Sequence, residues 1–123
     1  MQKFLIQRIN SFRFAFQGIY VFFKNEIHAK IHLLAIVLVT SAGIIFEISK
    51  IEWYIILLCF ALVLAAEMIN SAIENVVDLI SPDLHPLAGK AKDLAAGAVL
   101  TASIFTVIIA ALIFIPKFAL LLK

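Results

Sequence analysis

The residues with the clearest chemical potential lie in one stretch, AAEMINSAIENVVDLI, at positions 65–80. At about 100° per residue, four of its polar residues fall within about 80° of arc on one helix face. Two carboxylates one helical repeat apart can bind a divalent cation, or divide into a metal ligand and a general base. The four positions, here called the polar stripe, are Glu67, Asn70, Glu74 and Asp78.

The helix that carries the polar stripe begins as a membrane span, because positions 53–66 contain no charged residue. At ~1.5 Å per residue, Glu67 lies ~21 Å from Trp53, inside a ~30 Å hydrocarbon core but near one edge. Glu74 then reaches the boundary and Asp78 lies beyond it. A carboxylate at the depth of Glu67 costs ~2.5 kcal/mol or more, so the stripe is expected to face a partner or a wet cavity.

Composition places the whole chain in the membrane class. Hydrophobic residues make up 64% of the 123 residues and charged residues only 15%, too much apolar surface for one small soluble core. A net charge of +2 without a basic run does not indicate a nucleic-acid partner. Cys59 is the only cysteine, so no intramolecular disulfide is expected.

The hydropathy pattern predicts an all-α membrane protein with one domain over residues 1–123. An amphipathic N-terminal helix, with apolar residues on one side and basic and polar residues on the other, is typical of a helix at the membrane surface. Pro116 and Lys117 are expected to end the last span. The predicted elements are an interfacial helix at 1–28, helices with transmembrane spans at 31–49, 53–80 and 94–115, and a polar cytoplasmic loop at 81–93.

Orientation follows from the lysine and arginine residues, which are enriched in cytoplasmic loops. An N-terminus inside leaves Lys50, Lys117 and Lys123 outside, and this distribution favours a cytoplasmic N-terminus and loop. Seven basic residues then lie inside: Lys3, Arg8, Arg13, Lys24, Lys30, Lys90 and Lys92.

Three interpretations of the polar stripe remain open: a polar seam that joins helices, a proton or cation pathway, and a catalytic site at the interface. The loop favours the third, because a lysine before the third span is a natural phosphate contact. Lys92 and Asp93 hold that place, whereas Lys90 is explained by topology alone. Asp93 is also an acceptable N-cap for the helix that follows.

The segments EMINSAIENVVDLIS and HPLAGKAKDLAAGAVL together resemble the signature of the small prokaryotic integral-membrane lipid kinases, the diacylglycerol kinases and their undecaprenol kinase relatives. The resemblance covers nearly the whole chain. It implies a surface helix and three transmembrane helices, assembled as a homotrimer with shared active sites in the bacterial inner (cytoplasmic) membrane. It also implies transfer of the γ-phosphoryl of MgATP to the hydroxyl of a membrane lipid, with magnesium as cofactor and ATP as co-substrate.

Carried over residue by residue, the resemblance makes Glu67 the general base and Asn70 a residue that orients the site, with Asp78 in support. Glu26 and Glu74 would coordinate magnesium. The nucleotide-binding group would comprise Asp83, His85, Lys92 and Asp93.

Three residues depart from the family pattern or stand outside it. Gln17 replaces a lysine that many relatives carry. His28 and His32, four residues apart, are either metal ligands or ordinary interfacial residues. The segments NEIHAKIHLL and SPDLHPLAGKAKDLAAGAVL lie closer to the Gram-positive, undecaprenol kinase branch than to the Gram-negative diacylglycerol kinases.

Overall fold

Four α-helices make up the regular secondary structure of the part of the chain described by the computed structural model, residues 2–83 and 85–121. The last three are each long and apolar enough to cross a membrane. The predicted class, an all-α membrane protein with three spanning helices after an N-terminal helix, is therefore confirmed. The helices are α1 (Gln2–Asn25), α2 (Ile27–Ile45), α3 (Lys50–Ile80) and α4 (Pro86–Leu121).

The helices bury only a small apolar core and leave most of their large apolar side chains exposed. Helices α3 and α4 pack against each other most extensively, and α2 packs on α3 over a smaller area. The core cluster contains Ile48, Ile56 and Ile113. Because lipid tails are as apolar as these side chains, a bundle in a bilayer loses nothing by exposing them.

Helix α1 leaves an apolar side uncovered by the rest of the chain. Phe12 and Phe16 are exposed, whereas Phe22, near the end of the helix, is buried. Glu26 has extended backbone angles (φ −85°, ψ 126°) and separates α1 from α2. This break moves the two boundaries to Asn25 and Ile27, a few residues before the predicted ones at 28 and 31.

The turn between α2 and α3 contains two local motifs that fix its ends. The backbone N–H of Ile48 donates to the carbonyl of Gly43 and that of Glu47 to Ile44, the pattern of a Schellman motif. Glu47 occupies the left-handed position (φ 47°) usually held by glycine. A capping box between Ser49 and Glu52 then starts α3 at Lys50, earlier than the predicted residue 53.

The prediction of a loop over residues 81–93 is wrong for residues 86–93, because α4 begins at Pro86. Proline has a helical φ and lacks only an N–H that would be unpaired in the first turn. The Nδ1 atom of His85 accepts a hydrogen bond from the backbone N–H of Leu87 at 3.2 Å. Asp93 consequently lies inside α4, and the expectation that it caps the helix is wrong.

The helix that carries the last span was expected to end at Pro116 and Lys117, and it does not, since α4 continues to Leu121. In membrane helices, neighbouring helices, side chains or local adjustments satisfy the backbone groups that a proline leaves free. Helix α4 packs on α2 on both sides of Pro116, since the ring of Phe46 lies 6.0 Å from that of Phe114 and 6.3 Å from that of Phe118. The ammonium of Lys117 also contacts Glu52 of α3 at 3.2 Å.

Some residues used in the predictions lie outside the described part of the structure. These are Leu84 of the connection, Lys123 of the orientation count and the side chain of Lys3.

Gly43→Ala is expected to destabilise the bundle. An added Cβ would lie 2.8 Å from Cη2 and 2.9 Å from Cζ2 of Trp53, and a rigid indole ring cannot give way without disturbing the packing around it. Overpacking of this kind costs about 1–3 kcal/mol, more than the ~1 kcal/mol that alanine gains over glycine in a helix. Thermal unfolding of the purified protein in detergent measures the difference.

Gly97→Ala is the matched control, because no atom lies within 4 Å of the Cβ position there. It should keep or raise the unfolding temperature. Equal stability of the two variants would contradict the packing of Trp53 on Gly43.

Candidate functional site

The four residues of the polar stripe pass from buried to exposed along α3. Glu67 is 6% exposed and Asn70 9% exposed. Glu74 is partly buried, and Asp78 is exposed. The stripe thus follows the gradient expected of a helix face that leaves an apolar region for water.

The carboxylate of Glu67 is paired with a histidine of the neighbouring helix α2. A hydrogen bond of 2.8 Å joins Oε1 of Glu67 to Nε2 of His32. With Glu67 ionised, Nε2 must carry the hydrogen of this bond. The pair meets the requirement that a buried acidic group have a polar partner.

Asn70 links the buried and the exposed halves of the stripe. Its Nδ2 donates a hydrogen bond of 3.0 Å to Oε1 of Glu74, one turn further along α3. Its Oδ1 atom is buried and has no hydrogen-bond partner within residues 2–83 and 85–121. Because a buried acceptor without a donor is costly, Oδ1 is a place where a bound hydroxyl, water or cation would be stabilised.

Glu67, Asn70 and Glu74 line a cleft of about 510 Å³, here called the polar cleft. Its remaining walls come from the start of α2 and from α4. Glu26, at the junction of α1 and α2, also lines it, together with Ser71. Four of the five predicted catalytic or metal-binding residues therefore share one cleft, although Glu26 is distant from the others in sequence, and the fifth, Asp78, does not line it.

The oxygen donors of the polar cleft are of the type that magnesium prefers. Glu26 and Glu74 provide carboxylates and Asn70 an unpaired amide oxygen, and magnesium commonly binds one or two carboxylates while it keeps several waters. In residues 2–83 and 85–121, no group of three histidine, cysteine or acidic residues is preassembled as a metal site. The cleft suits an ion that brings water and substrate oxygens with it.

The predicted nucleotide-binding residues lie beyond the polar cleft, at the start of α4 and in the connection before it. The Nζ of Lys92 donates to Oδ1 of Asp78, which joins the start of α4 to the end of α3. Asp83 and Asp93 are exposed. The ring of His85 holds the first turn of α4. This group is open to solvent and does not line the cleft that contains Glu67.

A second, apolar cavity of about 190 Å³ lies between α2, α3 and α4, here called the apolar cavity. His32 lines both this cavity and the polar cleft. Cys59, Val63 and Val107 are among the other side chains that line it. The Glu67 carboxylate, which lines the polar cleft, is therefore bonded to a side chain that also faces the apolar cavity.

His32 is the site residue whose role the sequence did not predict. It is 35 positions from Glu67, and no local pattern indicates which face of α3 it meets. Its position one turn after His28 was visible, but that spacing alone does not separate a ligand from an interfacial residue. Ser71 and Ser103, which also line the polar cleft, carry no sequence signal.

Taken together, these groups can accept a proton from an apolar alcohol while charged groups nearby bind a charged second substrate. The match to known families agrees with this chemistry. The model of the prokaryotic diacylglycerol kinase family matches residues 13–114. The chain belongs to this family and is a lipid kinase of the membrane.

Individual relatives agree with the family assignment. The undecaprenol kinase of Bacillus subtilis is 43% identical over 107 residues, which cover 87% of each chain. The diacylglycerol kinase of Synechocystis is 37% identical over 107 residues, 86% of this chain and 61% of that longer protein. The diacylglycerol kinase of Escherichia coli is 33% identical over 95 residues, 77% of this chain and 78% of the relative.

Proposed function

We propose that this protein transfers the γ-phosphoryl group of ATP to the hydroxyl of a membrane lipid, with Glu67 as the general base. The observation that carries the proposal is the position of the Glu67 carboxylate. It is buried, lines the polar cleft and is bonded to His32, which lines both that cleft and the apolar cavity. A lipid hydroxyl reaches such a point from the apolar side and a nucleotide from the polar side.

The proposed acceptor is undecaprenol, with diacylglycerol as the second candidate. The support is the match to the Bacillus subtilis undecaprenol kinase, at 43% identity over 87% of both chains. The diacylglycerol kinases of Synechocystis and Escherichia coli match at 37% and 33%. Both acceptors present an alcohol at the end of an apolar body, and the apolar walls of the cavity suit either.

In the proposed reaction, a carboxylate oxygen of Glu67 accepts the proton of the lipid hydroxyl. The hydroxyl oxygen forms a bond to the γ-phosphorus, the bond from that phosphorus to the β–γ bridging oxygen breaks, and ADP leaves with that oxygen. Phosphoryl transfer depends mainly on alignment and on neutralisation of charge, so few protein groups are needed. Asn70 supports the alignment through its bond to Glu74 and its free Oδ1.

Glu26 and Glu74 are proposed to hold magnesium in the polar cleft. When bound, the ion neutralises the charge of the phosphate oxygens. Glu74 is oriented by Asn70 at 3.0 Å, and Glu26, where the chain is extended between α1 and α2, lines the same cleft.

The nucleotide is proposed to lie over the start of α4, in contact with Lys92 and Asp93. Asp83 and His85 flank this place in the preceding connection, and Asp78 orients the ammonium of Lys92. A lysine here adds positive charge beside the phosphates. The solvent exposure of this group suits a substrate that stays in water.

The proposed location is the bacterial inner membrane with the N-terminus in the cytoplasm, where ATP is present. The support is the excess of basic residues on that side. We also propose a homotrimer, in which neighbouring copies cover part of the exposed apolar surface and complete the site. The resemblance to the family supports both proposals.

A proton or cation pathway and a polar seam between helices are the alternative functions. A pathway needs polar groups across the membrane, but the lining of the apolar cavity beyond His32 carries only Ser103 and Thr106 as hydroxyl groups and no acidic residue. A polar seam within one copy of the chain would be expected to pair the Oδ1 of Asn70, which has no hydrogen-bond partner among the described residues. The experiments below distinguish both alternative functions from the kinase activity.

Glu67→Gln is expected to lower lipid phosphorylation by roughly 10²- to 10⁴-fold, because the amide cannot accept the proton that a general base removes. The fold should persist, since glutamine keeps the shape of the side chain and a polar partner for His32. The measurement uses purified protein, magnesium and labelled ATP, with undecaprenol, diacylglycerol and ceramide offered in parallel.

Glu52→Gln is the matched control, because it makes the same change at the other end of α3, where glutamine also completes a capping box and can still accept a hydrogen bond from Lys117. It should retain activity. Retained turnover in Glu67→Gln would remove the proposed base, and ion flux in proteoliposomes without a labelled lipid would favour the pathway.

Glu74→Gln is expected to raise the magnesium concentration needed for half-maximal activity by roughly 10- to 100-fold. Loss of even an outer-sphere partner of a metal site has an effect of this size. A magnesium titration of the kinase rate measures it. If Glu74→Gln instead disrupts assembly and leaves the magnesium dependence unchanged, the polar-seam interpretation is favoured.

Lys92→Met is expected to raise KM for ATP by about tenfold or more, because a charge-assisted contact to phosphate contributes about 1.5–3 kcal/mol. Initial rates over a range of ATP concentrations give the value. Lys90→Met, two residues earlier on the exposed side of α4, should have little effect on KM. Equal changes in both variants would indicate a general effect of charge and not a phosphate contact.

A further inference from the structure

We propose that His32 is a positioning residue for Glu67, which holds the carboxylate by one oxygen and leaves the other free for the lipid hydroxyl. This inference rests on the proposed function, because it assigns a role to the neighbour of the proposed base. His32 and Glu67 come from different helices and are joined by the 2.8 Å bond between Nε2 and Oε1.

The hydrogen bond between His32 and Glu67 is the main polar link between α2 and α3 in the described part of the chain. Within residues 2–83 and 85–121 it is the single side-chain hydrogen bond that connects α2 with α3, and Glu67 makes no other side-chain hydrogen bond. No other contact fixes the rotation of the carboxylate about its side-chain torsions, since Asn70, the next residue of the polar stripe, donates to Glu74 and not to Glu67 within the described residues. His32 therefore decides where the two oxygens of Glu67 lie.

Burial protects the hydrogen bond between His32 and Glu67 from competition by water. The side chain of Glu67 is 8% exposed and that of His32 22% exposed, so water has little access to replace the imidazole as a partner. An engaged Oε1 leaves Oε2 as the acceptor for a substrate proton. A general base acts only when its acceptor atom is within hydrogen-bond reach of the proton that it removes.

The position of His32 also fits this role in space. It lines the apolar cavity and the polar cleft, whereas Glu67 lines only the polar cleft. A hydroxyl that arrives at the end of an apolar chain passes the imidazole before it reaches the carboxylate. The contact between α2 and α3 is small compared with that between α3 and α4, so packing alone would position Glu67 less firmly than this bond does.

His32→Leu is the first test variant, because leucine fills a similar volume and cannot hydrogen-bond. We expect kcat for lipid phosphorylation to fall by roughly 10- to 100-fold, as for a misplaced reacting group, while KM for ATP and KM for the lipid change by less than about threefold. His32→Gln should recover a large part of kcat, because its amide nitrogen can reach the position of Nε2 and donate.

Two comparisons separate positioning from a purely structural role. Ser41→Leu makes the same kind of change on α2 at an exposed hydroxyl that bonds only to the backbone carbonyl of Val37, and it should keep kcat. His32→Asn retains an amide that is too short to reach Glu67, so its kcat should fall well below that of His32→Gln. The second comparison remains valid if the leucine variant fails to fold.

The outcomes are distinguishable from those of the proposed function. Wild-type kcat in His32→Leu, equal kcat in the glutamine and asparagine variants, or an effect on KM alone would overturn the role of His32 and leave Glu67 as the base. Retained turnover in Glu67→Gln would overturn the base and the positioning role together.

Discussion

The structure depends on the burial of one acidic side chain, Glu67, in an otherwise apolar part of α3. A carboxylate in such a place is costly unless a polar group faces it, and His32 of α2 meets that need. The helix then carries three further polar residues on the same face, and their exposure to solvent rises from Asn70 to Glu74 to Asp78. The fold thereby keeps an acidic group inside the bundle while the rest of the site opens to water.

The helices are held together unevenly around this site. Helices α3 and α4 have the largest contact and are joined near both ends, by Lys92 with Asp78 at one end and by Lys117 with Glu52 at the other. Helix α2 is joined to α3 by the Schellman turn and by the pair at Glu67. The polar cleft is therefore built against a firm pair of helices, and its remaining wall comes from the start of α2.

Helix type and number followed from the sequence because long apolar runs leave few other solutions in a bilayer. The same was true of the polar stripe, since helical periodicity alone puts its residues on one face. The helix boundaries were less predictable. Pro86 was assigned to a loop but begins α4, and Pro116 was expected to end a helix but lies inside α4. The start at Pro86 is supported by a local contact, the hydrogen bond from the Leu87 N–H to the adjacent His85. Beyond Pro116, the Lys117–Glu52 pair joins residues far apart in sequence, and the sequence alone does not show such a contact. The contact of His32 with Glu67 was not predictable, because it depends on the rotation of α2 against α3.

The graded exposure of the polar stripe has a consequence for how the two substrates are supplied. In the proposed reaction, a lipid acceptor reaches Glu67 by lateral diffusion within one leaflet, so its encounter rate depends on the number of molecules per unit area of bilayer. Added inert lipid dilutes it even when the bulk amount is constant. The encounter rate of the phosphoryl donor depends on its concentration per volume of solution. The rate therefore depends on the surface concentration of the lipid substrate and on the volume concentration of the nucleotide.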